Sequence, residues 1–278
     1  MSVHSVAAPP AERDFEFRDS DFAQVRAMIY QRAGIALGDH KREMVYSRLA
    51  RRLRSLGVGD FATYLDRLRA SPNDPEWEHF VNALTTTLTA FFREPHHFTI
   101  LRDFAAKQAR PLSIWCAAAS SGEEPYSIAI TLCEAHESGA RGQVLATDIN
   151  TQVLDRARQG VYPMERVAGV SPERLRRFFL KGSGRNQGKV KVRPELASMI
   201  TFRYLNLLDS QWDLPERFDA IFCRNVMIYF DKPTQARILA RMARLLDKGG
   251  LLFAGHSENF SYVTTEFRLL GRTVYERV

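Results

Sequence analysis

The 278-residue chain is 45% apolar and 26% charged, the balance of an ordinary globular protein with room for one large or two modest cores. No apolar run approaches the roughly 20 residues of a membrane span, and the opening "MSVHSVAAPPAERD" lacks the basic-then-apolar layout of a secretory signal, so residues 1–14 read as a loose tail. A formal net charge of +7 favours an acidic partner without choosing among nucleic acid, an acidic protein surface and a membrane.

From about residue 12 to 82 the pattern is helical throughout. "SDFAQVRAMIYQRAG" starts at a Ser/Asp cap and stops at Gly34, and "DHKREMVYSRLARRLRSLG" runs from near Asp39 to Gly57. "GDFATYLDRLRA" runs from Asp60 to the Ser71-Pro72 step. "DPEWEHFVNALTT" carries a proline in its first turn, where a missing N–H costs nothing. On the second helix Val45, Leu49, Leu53 and Leu56 repeat at helical spacing and give the buried side. Lys41, Arg48, Arg51 and Arg52 cluster on a neighbouring face, which by pattern alone is either simply solvated or a docking surface for an acidic partner.

After about residue 110 strands alternate with helices. "LSIWCAAA" reads as a buried strand, with a helix through Ile128 to Ala135 behind it. "QVLATDI" is a second strand ending at Asp148, and "TQVLDRARQG" is its helix, capped by Asn150 or Thr151. "MITFRYLNLLD" and "RFDAIFCRN" follow as strands. "KPTQARILARMARLLDKGG" reads as a long helix opened by Pro233 and closed by Gly249-Gly250; "GLLFAGH" is the next strand and "FRLLGRTVYERV" a terminal hairpin. This alternation predicts an α/β fold with a mostly parallel, doubly wound sheet. "FFLKGSGRNQGKVKVRPEL", Phe178 to Leu196, interrupts it with glycines around a polar turn and the alternating "KVKVR", and reads as a small β insertion. Cys116, Cys133 and Cys223 lie scattered in apolar surroundings and read as inert buried thiols of a reducing cytoplasm. His79, His96, His97, His136 and His256 have no ligand spacing, so no metal is expected.

In a doubly wound sheet, ligands bind beyond the carboxyl ends of the strands. The loop Ala118 to Glu124, the acid Asp148, and Asn206 with Arg224-Asn225 fall there. Asp148 is placed to accept hydrogen bonds from ribose hydroxyls, which argues for a nucleoside; its alternative role is a cap for the next helix. A pyrophosphate would want the N–H groups of the helix after the first strand, but Glu123 and Glu124 occupy that end. The loop has one glycine, Gly122, and no G-x-G-x-x-G. Like charges close together in partly dry surroundings disfavour NAD or ATP and favour a phosphate-free adenosine ligand with positive charge, such as S-adenosylmethionine. One of the two glutamates then serves only the helix end.

Five stretches go beyond a class argument: "LTTTLTAFFREPHHF" (Leu84–Phe98), "WCAAASSGEEPYSIAI" (Trp115–Ile130), "ATDINTQVLDRARQGVY" (Ala146–Tyr162), "FDAIFCRNVMIYFDKPTQ" (Phe218–Gln235) and "GLLFAGHSENF" (Gly250–Phe260). In this order they resemble the CheR family, the chemotaxis receptor glutamate methyltransferases of bacteria, from about residue 15 onward. The resemblance implies an N-terminal helical receptor-docking domain over 15–85. It implies a class I S-adenosylmethionine methyltransferase domain over 86–278, Rossmann-like with a terminal antiparallel hairpin and a β-subdomain inserted at about 177–197. It also implies the reaction: the methyl of S-adenosylmethionine passes to glutamate side chains of chemoreceptors, giving glutamyl methyl esters and S-adenosylhomocysteine.

Matched by motif, the resemblance places Thr87, Thr89, Arg93, Glu124, Asp148, Asn206, Leu207, Cys223, Arg224 and Asn225 at the cofactor, with Arg93 and Tyr229 beside the transferred methyl. Many family members carry Asn where this chain has Thr87, and a hydroxyl replaces only part of an amide's hydrogen bonding. The resemblance makes the face of Lys41, Arg48, Arg51 and Arg52 the docking surface for acidic receptor methylation helices. It makes Lys181, Gly182, Gly184, Gly188 and Lys191 the site where a receptor's C-terminal pentapeptide adds as a strand. A cytoplasmic monomer is expected, with no nucleic acid, no membrane insertion and no metal. The competing readings are a non-catalytic S-adenosylmethionine-binding adaptor, against which Arg93 and Tyr229 argue, and a nucleic-acid methyltransferase, for which an "NPPY"-type motif is lacking.

Overall fold

A computed structural model describes residues 14–135 and 142–278. The expected tail, apart from Asp14, and the expectation for His136 lie outside the described residues.

The first unit is helical. Helix α1 (Asp19–Ala33) ends on Gly34, whose φ of 69° lets the chain turn back. A 3-10 turn (Asp39–Lys41) leads into α2 (Arg42–Leu56), followed by α3 (Phe61–Ala70) and α4 (Glu76–Leu84). Val25 and Ile29 of α1, Val45, Leu49 and Leu53 of α2, Leu65 of α3 and Phe80 of α4 meet in one core. The Ser/Asp start expected for α1 is corrected: Arg18 is the N-cap, and Asp21 acts from inside the first turn, accepting the Arg18 N–H at 2.8 Å. Helix α5 (His96–Ala106) was not assigned from the sequence; Pro95 caps it, after a loop in which Phe92 and Glu94 both take left-handed φ angles of 53° and 58°.

The second unit is a seven-stranded sheet. Its strands are β1 (Leu112–Cys116), β2 (Gly142–Asp148), β6 (Ile200–Tyr204), β7 (Phe218–Cys223), β8 (Leu246–Ala254), β9 (Phe267–Gly271) and β10 (Val274–Arg277), in the order β6-β2-β1-β7-β8-β10-β9. The first five are parallel; β10 and β9 close the edge antiparallel. Period-two alternation sends Ile114 and Cys116 to the face covered by α5 and α6 (Glu123–Ala135), and Trp115 to the face covered by α10 (Lys232–Arg244). Helix α7 (Thr151–Gln159) follows β2 and is capped by Asn150, which accepts the Val153 N–H at 3.1 Å. Chain order leaves β1 toward β2 on one side and toward β7 on the other, so the crevice lies between the carboxyl ends of β1 and β7.

Two sequence boundaries move. The long helix stops at Arg244, not at Gly249-Gly250, because Leu246 already pairs with Phe218 and the residues up to Gly250 bulge out of β8 before Leu251 meets Ala220. The β insertion is a three-stranded antiparallel sheet, β3-β5-β4. β4 (Phe179–Lys181) and β5 (Lys189–Val192) form the expected hairpin; β3 (Val161–Pro163), after α7, supplies a strand that was not expected. The short helices α8 (Pro172–Phe178) and α9 (Pro194–Ala197) flank the hairpin.

The helical unit sits over the carboxyl end of the sheet. Tyr30 donates to Asp231 at 2.5 Å, the Asn206 amide donates to the Arg32 carbonyl at 2.9 Å, and Asn82 and Asn150 tie α4 to the start of α7. This cover turns the crevice at the β1/β7 switch point into a cavity.

Candidate active site

The cavity has a volume of about 390 Å³ and is walled by both units. The sheet contributes Glu124 from the start of α6, Asp148 from the end of β2, Asn206 and Leu207 after β6, and Arg224 and Asn225 after β7. Thr89 and Arg93 come from the loop before α5, Tyr229 from the 3-10 turn Met227–Tyr229, and Lys41 from the helical unit. Sequence spacing put most of these at strand ends; the structure brings them onto one surface.

The loop after β1 owes its single glycine to packing. Gly122 has φ 99°, and a Cβ there would come within 2.7 Å of the Tyr162 hydroxyl and 2.9 Å of the Ala157 side chain. Tyr162 in turn donates to the Ser121 carbonyl at 2.8 Å. The glycine admits α7 and the small sheet; the small residues Ala117 and Ala118 face the cavity.

The two glutamates separate. Glu123 is fully buried, paired with Arg166 and accepting the Ser121 hydroxyl at 2.7 Å. It closes a structural contact and does not line the cavity. Glu124 does line it, and its Oε2 accepts Arg224 Nη1 at 2.5 Å. Burial pushes the Glu124 carboxyl up, against the pull of the Arg224 guanidinium. Because each glutamate has an arginine partner, the charge argument against phosphate is weaker than the bare sequence suggested.

Arg224 is the hub of the site, with its side chain fully enclosed. Nη2 donates to the Arg93 carbonyl at 2.6 Å and stands 3.4 Å from Glu94. Glu94 lies below the ordinary carboxylate range: burial raises it, but the charge of Arg224 and the hydrogen bonds of His256 outweigh that. Arg93 itself is half-buried, and Nη1 donates to the Leu88 carbonyl at 3.1 Å.

Asp148 accepts the Ser120 N–H through Oδ2 and the Asn150 N–H through Oδ1, both at 2.8 Å. Burial raises its carboxyl, and these backbone donors oppose the shift. Each oxygen keeps further acceptor capacity on the cavity wall, which suits ribose hydroxyls. The apolar patch of Leu37, Ile149, Leu207 and Val226 suits an adenine. The residues present therefore fit S-adenosylmethionine. The Asn206 amide is committed to the Arg32 carbonyl and the Leu208 N–H.

Two predicted cofactor residues lie outside the cavity. Thr87 lines a neighbouring cleft, and its carbonyl accepts the Ser120 hydroxyl at 2.9 Å. Cys223, the last residue of β7, is fully buried in the core on the α10 face. Cys116 and Cys133 are buried too, and all three thiols are free.

The basic face of α2 also divides. Arg52 makes a two-pronged pair with the buried Glu76, at 2.9 and 2.6 Å, and Arg48 donates to the Ala83 and Thr85 carbonyls that end α4. Lys41 is at the cavity wall and Arg51 is exposed. In the small sheet, Gly182, Gly184 and Gly188 form the β4–β5 connection, and exposed Lys181 and Lys191 stand on the paired strands.

A residue not assigned from the sequence holds the next loop. Glu258 is 4% exposed, and its carboxylate accepts four backbone N–H groups: Gly255 at 2.6 Å, Met227 at 2.8 Å, Asn225 at 2.9 Å and Ile228 at 3.3 Å. Gly255 permits the approach, since a Cβ there would lie 2.2 Å from the Asn225 amide nitrogen. The signal was an acid in "GHSENF", just past a buried strand at the ligand end of the sheet. Glu94, His96 and His97 also come together, with ligand atoms within 4.8 Å of one another. That grouping was not visible in their spacing. The adjacent Arg224 guanidinium and the Arg272 carbonyl, 3.3 Å from His96 Nε2 and 3.0 Å from His97 Nε2, already serve these groups.

Comparison with known proteins adds to this geometry. Residues 20–85 match the family model for the CheR methyltransferase all-alpha domain, and residues 87–276 that for the CheR methyltransferase SAM binding domain. A chemotaxis protein methyltransferase of Klebsiella aerogenes is 56% identical over 272 residues, covering 98% of this chain and 93% of the relative. One of Salmonella typhimurium is 55% identical over 258 residues, 92% of this chain and 90% of its own. Chemotaxis protein methyltransferase 2 of Pseudomonas aeruginosa is 54% identical over 267 residues, 95% of each chain.

Proposed function

The chain belongs to the CheR methyltransferase family, and on that premise we propose that it methylates glutamate side chains of bacterial chemoreceptors from S-adenosylmethionine, giving glutamate 5-O-methyl esters and S-adenosylhomocysteine. The observation that carries this reading is the convergence of Glu124 and Asp148 with Arg93 and Tyr229 on one cavity at the β1/β7 switch point.

S-adenosylmethionine, when bound, supplies an electrophilic methyl on a sulfonium. A glutamate carboxylate is already ionised at neutral pH, so no general base is needed. The chain's part is to align the carboxylate and to strip some of its water. Arg93 fits the aligning role, because among the described residues its side chain bonds only the Leu88 carbonyl, which leaves guanidinium donors for a carboxylate. Tyr229 lines the same cavity from the 3-10 turn Met227–Tyr229. Asp148 holds ribose hydroxyls, Glu124 the cationic end, and Thr89, Asn206, Leu207, Arg224 and Asn225 complete the cofactor wall. Thr87 and Cys223 have no direct part in this proposal.

Lys41 and Arg51 are the docking charges for acidic receptor helices, a reading supported by their lack of carboxylate partners among the described residues. Strand β4 is an edge of the small sheet, which supports addition of a receptor C-terminal pentapeptide there. A monomer acting in the cytoplasm completes the proposal; no helix among the described residues is long and apolar enough to cross a membrane.

Labelled methyl transfer with receptor cytoplasmic fragments and RNA offered in parallel tests it. Base-labile label on the receptor alone is the expected result. Label on RNA, or cofactor binding without transfer, would overturn it.

A further inference from the structure

Beside the cofactor cavity lies a second cleft of about 420 Å³, at the seam between the helical unit and α7. Arg48 and Arg51 enter it from α2, Arg156 from α7 and His79 from α4, and no carboxylate lines it. Arg52 also lines it but is committed to Glu76. Arg48, Arg51 and Arg156 have no ion-pair partner among the described residues, although the next arginine on α7, Arg158, pairs with Asp155 at 2.7 Å. Burial first, and then the charge of Arg51, lowers the proton affinity of Arg48, with Tyr229 opposing the shift. His79 Nδ1 is buried and has no hydrogen-bond partner.

We propose that this cleft is an anion-binding site for a small phosphorylated ligand that bridges Arg48 and Arg51 of the helical unit to Arg156 of the methyltransferase unit. Arg48 Nη1 donates to the Ala83 and Thr85 carbonyls, but these neutral acceptors leave its charge unpaired beside Arg51 and Arg156, and three such charges favour concentrated negative charge. A phosphate group carries about −1.5 to −2 near neutral pH and three acceptor oxygens, whereas a single carboxylate carries one charge and two oxygens. Arginine forks match phosphate in two-pronged geometry. The cleft floor holds the seam's own contacts, the Asn150 amide to the Thr85 hydroxyl at 2.7 Å and to the Asn82 carbonyl at 3.2 Å. A ligand there braces the two units, and Thr85 lines both this cleft and the cofactor cavity. The cleft does not contact the transferred methyl, but it shares Arg51 with the proposed receptor-docking face, so an anion held here would compete with an acidic receptor helix for that residue.

Inorganic pyrophosphate is the probe, titrated calorimetrically into the full chain at low salt with thermal unfolding recorded alongside. Expected are saturable binding at one site per chain and a raised Tm. Both should weaken at least about tenfold in ligand concentration for Arg156→Ala, with under about twofold change for Arg158→Ala, which removes a charge from the same helix outside the cleft. Arg156 is exposed, so its removal leaves the fold intact. Absence of saturable binding, or equal weakening in the two variants, would overturn the site. So would Arg156-dependent binding of a Glu-rich helical peptide without any binding of pyrophosphate.

Discussion

The guanidinium of Arg224 donates to the backbone carbonyl of Arg93 at 2.6 Å while its other nitrogen holds Glu124 at 2.5 Å. One buried fork thus fixes the loop that carries Arg93 to the helix that carries Glu124. Arg224→Met should leave Glu124 and Glu94 facing each other without a counter-charge. Breaking a buried pair in this way costs about 3–5 kcal/mol. Arg224→Lys restores charge but not the fork, so the fold should recover while cofactor affinity stays at least about tenfold weaker. Thermal unfolding and cofactor calorimetry on the two variants read this directly; full affinity in the lysine variant would refute the positioning role.

Arg93→Ala separates the two carboxylates that the side chain can orient. If Arg93 holds the substrate carboxylate, kcat should fall on the order of 100-fold with little change in cofactor KM, because misplacement at the reacting centre carries penalties of that size. If it holds the cofactor's carboxylate, cofactor KM should rise instead. Near-normal turnover and KM together would remove Arg93 from the site.

Glu258→Gln tests the loop clamp. The amide matches the carboxylate in shape but turns one acceptor into a donor, which then faces a backbone N–H. Stability should drop by about 1–3 kcal/mol for the donors left unsatisfied. Turnover should fall with it, because Asn225 and Tyr229 ride on the clamped segment. A variant with normal cofactor affinity and normal kcat would show that the loop holds without the clamp.

The fold was legible where local chemistry sets it. Glycines with left-handed backbone end α1, α2 and α7, and apolar runs between turn signals mark the parallel strands. What escaped depends on partners distant in sequence. Leu246 looks helical until it pairs with Phe218, and β3 is too short to signal itself without β5. The site divides the same way. Asp148 and Arg224 could be placed from strand ends, but the pairing of Glu123 with Arg166, and the contact between Arg48 and the end of α4, belong to the folded packing. An arginine's sequence position does not reveal whether it meets a carboxylate, a carbonyl or water.

His97 should make stability pH-dependent. Its ring is buried, with Nε2 3.0 Å from the Arg272 carbonyl, and burial, reinforced by the charge of Arg224, depresses its pKa from 6.5 to about 4. Between these values the unfolded chain binds a proton that the folded chain refuses. Stability is therefore full above about pH 6.5 and declines as pH falls toward 4, by up to roughly 3 kcal/mol from this group. Urea unfolding across that range should show the decline, and His97→Gln should flatten it. An unchanged slope in the variant would assign the acid sensitivity to other groups.

The divided basic face of α2 yields the last prediction. Arg51→Glu reverses a charge that no described carboxylate pairs and that lies outside the cofactor cavity, so receptor methylation should weaken markedly while fold stability and cofactor affinity stay near normal. The loss should shrink as salt rises and screens the receptor interaction. Arg52→Ala should behave in the opposite way. It strands Glu76, which is 4% exposed and otherwise held by the Tyr64 hydroxyl at 2.9 Å, and should cost about 3 kcal/mol of stability. Receptor KM, cofactor affinity and unfolding measured on both variants distinguish a docking charge from a structural one. Equal loss of stability in the two would mean that the whole face serves the fold, and the acidic partner must then dock elsewhere.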